Sequence, residues 1–414
     1  MDTYRACKTR ILYWSFIIVF IASMGFGASR PAIAFIVRIA PGGGIVAVSL
    51  LTTSFMVARA SSSPIAGFLG DKNTRYREVF LRIFLLPAAL SLALMYLYPI
   101  PYSLVLLMAL WGFSSGFYWP TMQYVVSAVG GSTALGLYFG IAGGGLAAGY
   151  WLFGVLELQY TELLLVSVIL FTITSTLSYV VFRGIRYCRE IAYREVSVEQ
   201  SRYQGKISIL DVRGLLSAFS IFTLWVLVSS LVIGFAGGVM QEFLYVYVYE
   251  VHGISRGELG SVLALGSIFT IISSISAGYL ADKIGIKLTL SATLLLASLG
   301  LGLLPISGIG FPLVALSVSS IMFARNAAMP LTRTIAIAGS REYAGTVIGV
   351  SNTISNIGSM VSPIVAGVLY SRYQGEVSLG FVTLEEEGLI YLVLSALSLL
   401  LAISSLKIRE ERKS

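Results

Sequence analysis

Long apolar runs, separated by short polar segments, are the feature that most restricts how this chain can fold. Of its 414 residues, 57% are hydrophobic and 12% are charged, whereas soluble domains carry about 25% charged residues. A helix that spans a membrane needs ~20 mostly apolar residues. Twelve such runs lie near 11–37, 45–70, 79–99, 103–128, 134–156, 160–183, 215–249, 256–281, 287–306, 309–335, 342–371 and 388–407. The sequence therefore predicts an all-α membrane protein with twelve transmembrane helices.

The polar composition argues against several kinds of site. Two cysteines, Cys7 and Cys188, and a single histidine, His252, provide no ligand set for a metal ion. No catalytic constellation or P-loop string is present in the sequence. The net charge of +8 comes from basic residues that recur between apolar runs instead of forming one basic face. We therefore expect no metal, no cofactor, no enzymatic activity and no nucleic-acid partner, and we expect a monomer in a lipid bilayer.

Lys and Arg residues are distributed unequally between the two sides of the predicted membrane. Segments between the runs alternate between basic-rich and basic-poor. If the N-terminus is inside, the outer side holds only Arg38, Arg256 and Arg372. Arg30, Arg59 and Arg325 lie well inside runs, and all the other Lys and Arg residues lie in inner segments or at the inner ends of runs. Because cytoplasmic loops carry the excess of Lys and Arg, we expect a multi-pass protein of the cell membrane with both termini in the cytoplasm.

The long polar stretch at the middle of the chain predicts a division into two halves. Residues 184–214 mix charges of both signs and cannot enter a bilayer. We therefore predict an N-terminal six-helix bundle at 1–183, a cytoplasmic linker at 184–214 and a C-terminal six-helix bundle at 215–414.

The two halves also share landmarks in the same order. The segment 67–72, GFLGDK, recurs as 278–283, GYLADK, about 210 residues further along the chain. Pro120 recurs at nearly the same spacing as Pro330. Equal loop orientation in both halves predicts a parallel repeat, with an axis along the membrane normal.

These landmarks resemble the major facilitator superfamily. Its loop signature after the second helix is roughly G-x-L-a-D-r-x-G-r-[RK]. Residues 67–75 read GFLGDKNTR, in which the second glycine is replaced, and residues 278–287 read GYLADKIGIK, which is better preserved. The resemblance covers nearly the whole chain and implies the fold of that family, two six-helix bundles. It does not identify a substrate, because this fold serves many solutes.

The resemblance also implies a mechanism and a set of gating residues. The two bundles rock about a central site and open it to one side at a time. In that family, the acidic residues of the two signatures and the basic residues after them tie helix ends together. Here these gating candidates are Asp71 and Lys72 in the first half and Asp282 and Lys283 in the second. The alternative is that the aspartates only end their helices at the interface.

Three arginines inside apolar runs are the main candidates for substrate binding. A cation deep in a bilayer costs ~2.5–3.5 kcal/mol even on the lenient insertion scale, so it normally faces water or a partner. Arg30 lies in the outer part of the first run, whereas Arg59 is ~18 Å from Asp71 along the second. Arg325 lies ~12 Å from Arg333 in the tenth run. A guanidinium suits a carboxylate or phosphate, but ties between helices remain an alternative.

Glu242 is the clear acidic candidate within a run. The repeat aligns Arg30 with Val239, one helical turn from Glu242. Arg30 and Glu242 can therefore meet as an outer ion pair, and a carboxylate with a raised pKa is a usual means of coupling transport to a proton. The alternative places Glu242 in wet surroundings near the surface.

Amides within runs complete the candidate set. Asn352 and Asn356 are one turn apart on the eleventh run, and Gln123 lies on the fourth. Buried amides need partners, which a hydrated substrate site or a neighbouring helix supplies. The aromatic string 243–249, FLYVYVY, is interpreted as an interfacial belt.

These features favour a secondary active transporter whose small-molecule substrate is an organic anion or metabolite, with a proton or another ion as a coupling partner. One alternative is efflux of drug-like compounds by proton antiport. The drug-antiporter signature of the fifth helix lacks its proline here, which weakens that alternative. A membrane receptor or sensor on a transporter fold is the alternative from a different class.

Overall fold

The computed structural model describes residues 2–184, 221–339, 344–378 and 382–407. These residues form thirteen α-helices, a two-stranded antiparallel hairpin and one 3-10 turn. The helices are α1 (Asp2–Ile39), α2 (Ile45–Lys72), α3 (Thr74–Ile83), α4 (Leu85–Leu97), α5 (Pro101–Val155), α6 (Tyr160–Gly184), α7 (Ile221–Val239), α8 (Glu242–Val251), α9 (Arg256–Ile284), α10 (Ile286–Leu303), α11 (Phe311–Gly339), α12 (Ala344–Arg372) and α13 (Leu389–Ser405). The hairpin consists of β1 (Glu376–Ser378) and β2 (Thr383–Glu385), and the 3-10 turn is Glu386–Gly388.

The helices account for the twelve predicted spans. Within the described residues, nine helical spans and two bent helix pairs are long and apolar enough to cross a membrane. The twelfth place belongs to the first part of α5, residues 101–130. α5 joins two of the predicted runs across a kink at Gly131, whose φ of 73° suits glycine. The predicted twelve-helix, two-bundle fold is confirmed.

Because successive spans alternate in direction, the bundle has two ends that can be named without reference to a membrane. The near end is where α1 begins and α13 ends, and the far end is where α1 ends at Ile39. The hairpin between α12 and α13 lies at the far end. Of the predicted 184–214 linker, only Gly184 falls within the described residues.

The seventh predicted run, 215–249, is not one continuous helix. α7 and α8 meet at an angle of 58°, with Met240 and Gln241 between them. The glycine pair Gly237 and Gly238 stands just before the break, and glycine pairs are a usual cause of sharp helix kinks. The break gives Glu242 the first helical position of α8.

Glycines allow α1 and α5 to pack with their backbones in contact. A Cβ added at Gly145 would overlap the carbonyl oxygen of Phe20, and one at Gly149 would overlap that of Met24. Small residues four apart support this close approach between membrane helices. The glycine-rich fifth run thus packs its backbone closely against α1.

The second half repeats this arrangement between α7 and α12. A Cβ at Gly234 would overlap the carbonyl oxygen of Ser355, and one at Gly238 would overlap the hydroxyl of Ser362. Between the halves, α2 packs against α12 and α5 packs against α9. These two contacts are related by the repeat, as a parallel two-fold arrangement requires.

The glycine contacts predict a selective loss of stability on adding a single methyl group. Gly149→Ala forces the new Cβ against backbone on α1, so we expect unfolding to become easier by ~1–3 kcal/mol. The measurement is thermal unfolding of the detergent-purified protein.

The matched control is Gly136→Ala on the same helix, where a Cβ has nothing within 4 Å. This control should be as stable as the wild type or slightly more stable, because alanine favours helix over glycine. Equal melting temperatures for the two variants would contradict the packing described.

Candidate functional site

A fully buried ion pair joins the two halves inside the far end of the bundle. Arg30 of α1 and Glu242 of α8 are both 0% exposed, and Arg30 Nε lies against Glu242 Oε1. Arg30 Nη2 donates to Glu242 Oε2 at 2.6 Å and to Gln241 Oε1 at 2.7 Å. Thr52 of α2 donates its hydroxyl to the same carboxylate. Glu242 therefore lies in a dry, hydrogen-bonded site and not in wet surroundings.

Aromatic rings enclose the Arg30 guanidinium from the other side. Its Cζ lies 4.9 Å from the ring centre of Phe26 and 4.8 Å from that of Phe55. Nη1 has no hydrogen-bond partner within the described residues. Cation–π contacts of this kind stabilise a desolvated guanidinium by about 2 kcal/mol. The pair of Arg30 with Glu242 is therefore surrounded on all sides by protein.

A second ion pair joins the halves closer to the far surface. Arg38 donates to both carboxylate oxygens of Glu250, at 2.6 Å from Nε and 3.0 Å from Nη2. Tyr370 also donates to Glu250, at 2.7 Å. The side chains of Arg38 and Glu250 are 32% and 26% exposed, so water screens this pair more than the inner one.

Neutral hydrogen bonds link the halves at the same end. The hydroxyls of Tyr150 on α5 and Tyr245 on α8 lie 2.9 Å apart. Thr53 of α2 donates to the carbonyl oxygen of Met360 on α12, at 2.8 Å. These contacts between described residues, like the two ion pairs, lie between the middle of the bundle and the far end. The structure thus has its far end closed.

Arg59 lies at the middle of α2, roughly 20 Å from either end of that helix. Thr52, which contacts Glu242, is seven residues earlier and therefore lies on the same face, two turns toward the far end. The Arg59 side chain is partly exposed and makes no ion pair with a described residue. Arg30, Tyr138 and Arg325 lie within electrostatic range of Arg59, that is, close enough for their charges or dipoles to act on its guanidinium.

Arg325 lies at a similar depth in the second half, at the middle of α11. Its guanidinium packs on Gly237 of α7, where a Cβ would stand 2.6 Å from Nε and 2.8 Å from Cζ. A side chain at position 237 would therefore have to displace the Arg325 guanidinium. Arg325 is partly exposed, forms no ion pair with a described residue, and lies within electrostatic range of Tyr150 and Tyr245.

The predicted amides occupy different surroundings. Asn352 lines a small hydroxyl-rich cavity between α7, α11 and α12 with room for about one water molecule. Ser230 and Ser351 of that cavity hydrogen-bond at 2.6 Å. Asn356 is exposed, one turn from Met360 toward the near end. Gln123 is partly exposed on α5.

Comparison with known proteins identifies the family. The model of the Major Facilitator Superfamily matches residues 15–363 and again 216–413. The chain belongs to this superfamily. A search of curated protein sequences gives no match.

Solved structures of superfamily members share the fold over almost the entire chain. The nucleoside transporter NupG superposes with a TM-score of 0.70 at 12% identity, covering 96% of this chain and 98% of that one. The human organic anion transporter MFSD10 (TETRAN) superposes with a TM-score of 0.63 at 15% identity, covering 96% and 99%. Identities this low establish a common fold. They do not transfer a substrate.

The superfamily signatures lie where their motifs predict, at the near ends of α2 and α9. Asp282 and Lys283 are exposed, and Lys283 Nζ lies 4.5 Å from the ring centre of Tyr279. α2 runs through Asp71 and Lys72, but their side chains lie outside the described part of the chain. The structure therefore places these residues without testing their gating role.

The prediction of an interfacial belt at 243–249 is wrong. Phe243, Tyr245 and Tyr247 are at most 3% exposed. The break at Gln241 rotates this part of the chain into the protein, so alternate aromatics pack inward instead of meeting lipid headgroups. The glycines before the break were the available indication, since interrupted helices mark binding sites in transporters of several folds.

Sequence reasoning also missed the tyrosines around the arginines. Tyr138 is 2% exposed, its hydroxyl has no hydrogen-bond partner within the described residues, and it lies within electrostatic range of Arg59. Tyr150 and Tyr245 are 95 positions apart and meet only in the folded chain. No spacing rule connects residues from different bundles in this way.

Removal of one member of the buried pair should be far more costly than removal of one member of the exposed pair. Arg30→Ala leaves Glu242 as a buried, unpaired carboxylate, so we expect a loss of ~3–5 kcal/mol in the free energy of unfolding. Arg38→Ala is the matched control at the exposed pair, with an expected loss of at most ~1 kcal/mol. Chemical denaturation in detergent measures both.

The double variant Arg30→Leu with Glu242→Leu removes both charges and should recover most of the lost stability. Equal losses for Arg30→Ala and Arg38→Ala would show that the buried charges are not coupled.

Proposed function

We propose that this chain is a secondary active transporter that carries an organic anion by alternating access between its two bundles. The single observation that supports the proposal is the placement of Arg59 and Arg325. Both stand at mid-length in membrane-spanning helices, and neither has an acidic partner among the described residues. A bound anion supplies the missing negative charge and offsets the ~2.5–3.5 kcal/mol cost of each cation at that depth.

This charge distribution favours an anion over a drug-like cation. Two guanidiniums without an acidic partner in the described part of the chain repel a positive substrate, whereas their planar donors match a carboxylate or phosphate. MFSD10 is an organic anion transporter by its name, and its likeness in fold is consistent with such a substrate. The substrate class proposed here nevertheless depends on the arginines of this chain.

The buried pair of Arg30 with Glu242 is proposed as the far-end gate. It joins α1 of the first half to α8 of the second, so the far end opens only when this contact separates. A proton on Glu242 removes the charge that holds Arg30, which would link gate opening to proton uptake. At the near end, Asp71, Lys72, Asp282 and Lys283 are proposed to serve the complementary state by joining helix ends.

Gln123, Asn352 and Asn356 are proposed as secondary polar contacts of the same pathway. Asn356 is the best placed of the three, because it is exposed on the side of α12 that faces α2. Asn352 lines a recess that is too small for an organic substrate, so its contribution is to hold water or a neighbouring hydroxyl.

Substitution of the central arginines should separate charge recognition from folding. Arg325→Gln should lower the affinity for an anionic substrate at least tenfold, because a charge-assisted hydrogen bond contributes about 1.5–3 kcal/mol. Arg325→Lys keeps the charge but loses the fork, so its loss should be intermediate. Ligand-dependent thermal stabilisation of purified variants gives the affinities.

The matched control is Arg372→Gln, which removes an exposed arginine at the far end of α12. Its ligand affinity should equal that of the wild type. If Arg325→Gln binds anions as tightly as this control, the proposed anion site is ruled out.

We further propose that the near end faces the cytoplasm of the cell, as the basic residues indicate. In a variant without Cys7 and Cys188, a cysteine at position 200 should resist an impermeant maleimide in intact cells. A cysteine in place of Glu157, at the far end between α5 and α6, should react. The opposite pattern of labelling would reverse the orientation.

A further inference from the structure

Arg59 and Arg325, which have no acidic partner among the described residues, belong to different halves of the molecule. Arg59 is carried by α2 of the first half, and Arg325 is carried by α11 of the second. Each stands at the middle of its helix, and the two lie within electrostatic range of each other. The two guanidiniums therefore repel each other.

The described residues offer little to offset this repulsion. Glu242 neutralises Arg30 and is enclosed with it, 0% exposed. The other acidic side chains that the structure describes stand in the short α3, at helix ends or in loops: Glu78, Glu157, Glu162, Glu250, Glu258, Asp282, Glu376, Glu385, Glu386 and Glu387. The centre of the described protein thus carries two positive charges without a matching carboxylate.

Each arginine also has tyrosine hydroxyls within electrostatic range. Near Arg59, the hydroxyl of Tyr138 is buried and makes no hydrogen bond within the described residues. Near Arg325, the hydroxyls of Tyr150 and Tyr245 bond to each other at 2.9 Å. Only one of the two hydroxyl protons takes part in that bond, so the other hydroxyl proton can be donated to a ligand. A guanidinium and a tyrosine hydroxyl that can donate are therefore present together at two places, one around Arg59 and one around Arg325.

We propose that the substrate is a small organic dianion that bridges the halves, with negative charge held at Arg59 and Tyr138 on one side and at Arg325 and the tyrosine pair on the other. The inference deepens the proposed anion transport and rests on it. A dianion cancels both positive charges and replaces their repulsion by attraction to one ligand. A monoanion leaves one guanidinium uncompensated at mid-depth.

Two ligand chemistries meet this description: a short chain with a carboxylate at each end, and a phosphate monoester. The test uses succinate and glycerol 3-phosphate as dianions, butyrate as the monoanion that matches succinate in length, and succinamide as the neutral analogue. Each is titrated against the purified full-length protein at constant ionic strength, and its affinity is taken from thermal stabilisation.

We expect at least one dianion to bind about 10- to 100-fold more tightly than butyrate, because it gains a second charge-assisted contact. Arg59→Gln and Arg325→Gln should each abolish this preference and leave a weak site that binds dianion and monoanion alike. Tyr138→Phe should weaken dianion binding severalfold without greatly altering the melting temperature of the protein measured with no ligand added. Arg372→Gln should retain the full preference.

The outcomes separate this inference from the function on which it rests. If butyrate binds as tightly as both dianions, and the two arginine variants weaken it equally, the site takes monoanions, so the inference is overturned while anion transport stands. If succinamide binds as well as succinate and the arginine variants change nothing, both proposals fail. If neither dianion binds the folded wild-type protein, the inference is rejected.

Discussion

The contact of Arg30 with Glu242 determines how the two halves of this protein meet. Two opposite charges in a membrane interior are costly to separate and costly to expose singly. Their pairing therefore fixes α1 against α8, and Thr52 brings α2 to the same carboxylate. With these three helices held at the far end, Arg59 and Arg325 remain at mid-depth without an acid of their own among the described residues. Arg30, Arg59 and Arg325 thus form one set of charges, in which Arg30 is paired and the other two have no acidic partner among the described residues.

Close backbone contacts make each half stiff, and this stiffness keeps the charged side chains at their positions. Gly149 lets α5 rest on α1, and Gly238 lets α7 rest on α12. Apolar side chains gain little by leaving lipid for protein, so membrane helices associate mainly through close packing and hydrogen bonds. Such packing holds the charges that each half carries at a fixed spacing.

The sequence predicts the features that depend on one helix or on the repeat. Run length predicts the spans, and aligning the two halves of the chain is enough to bring Arg30 near Glu242. The break before Glu242 and the inward position of Tyr245 do not follow from hydropathy, because a broken helix and a straight one have similar composition. The encounter of Tyr150 with Tyr245 depends on how the bundles dock, which no local pattern encodes.

The break in the seventh span makes α8 a short separate helix that can rotate about Gln241. Its ten residues measure ~15 Å, so a rotation of about 20° at Gln241 swings its far tip by ~5 Å. Glu250 lies near that tip and Glu242 lies at the pivot. A small rotation therefore parts the exposed pair with Arg38 first, while the buried pair with Arg30 is barely strained. Opening of the far end by such a rotation would therefore take two steps, with the buried contact separating last.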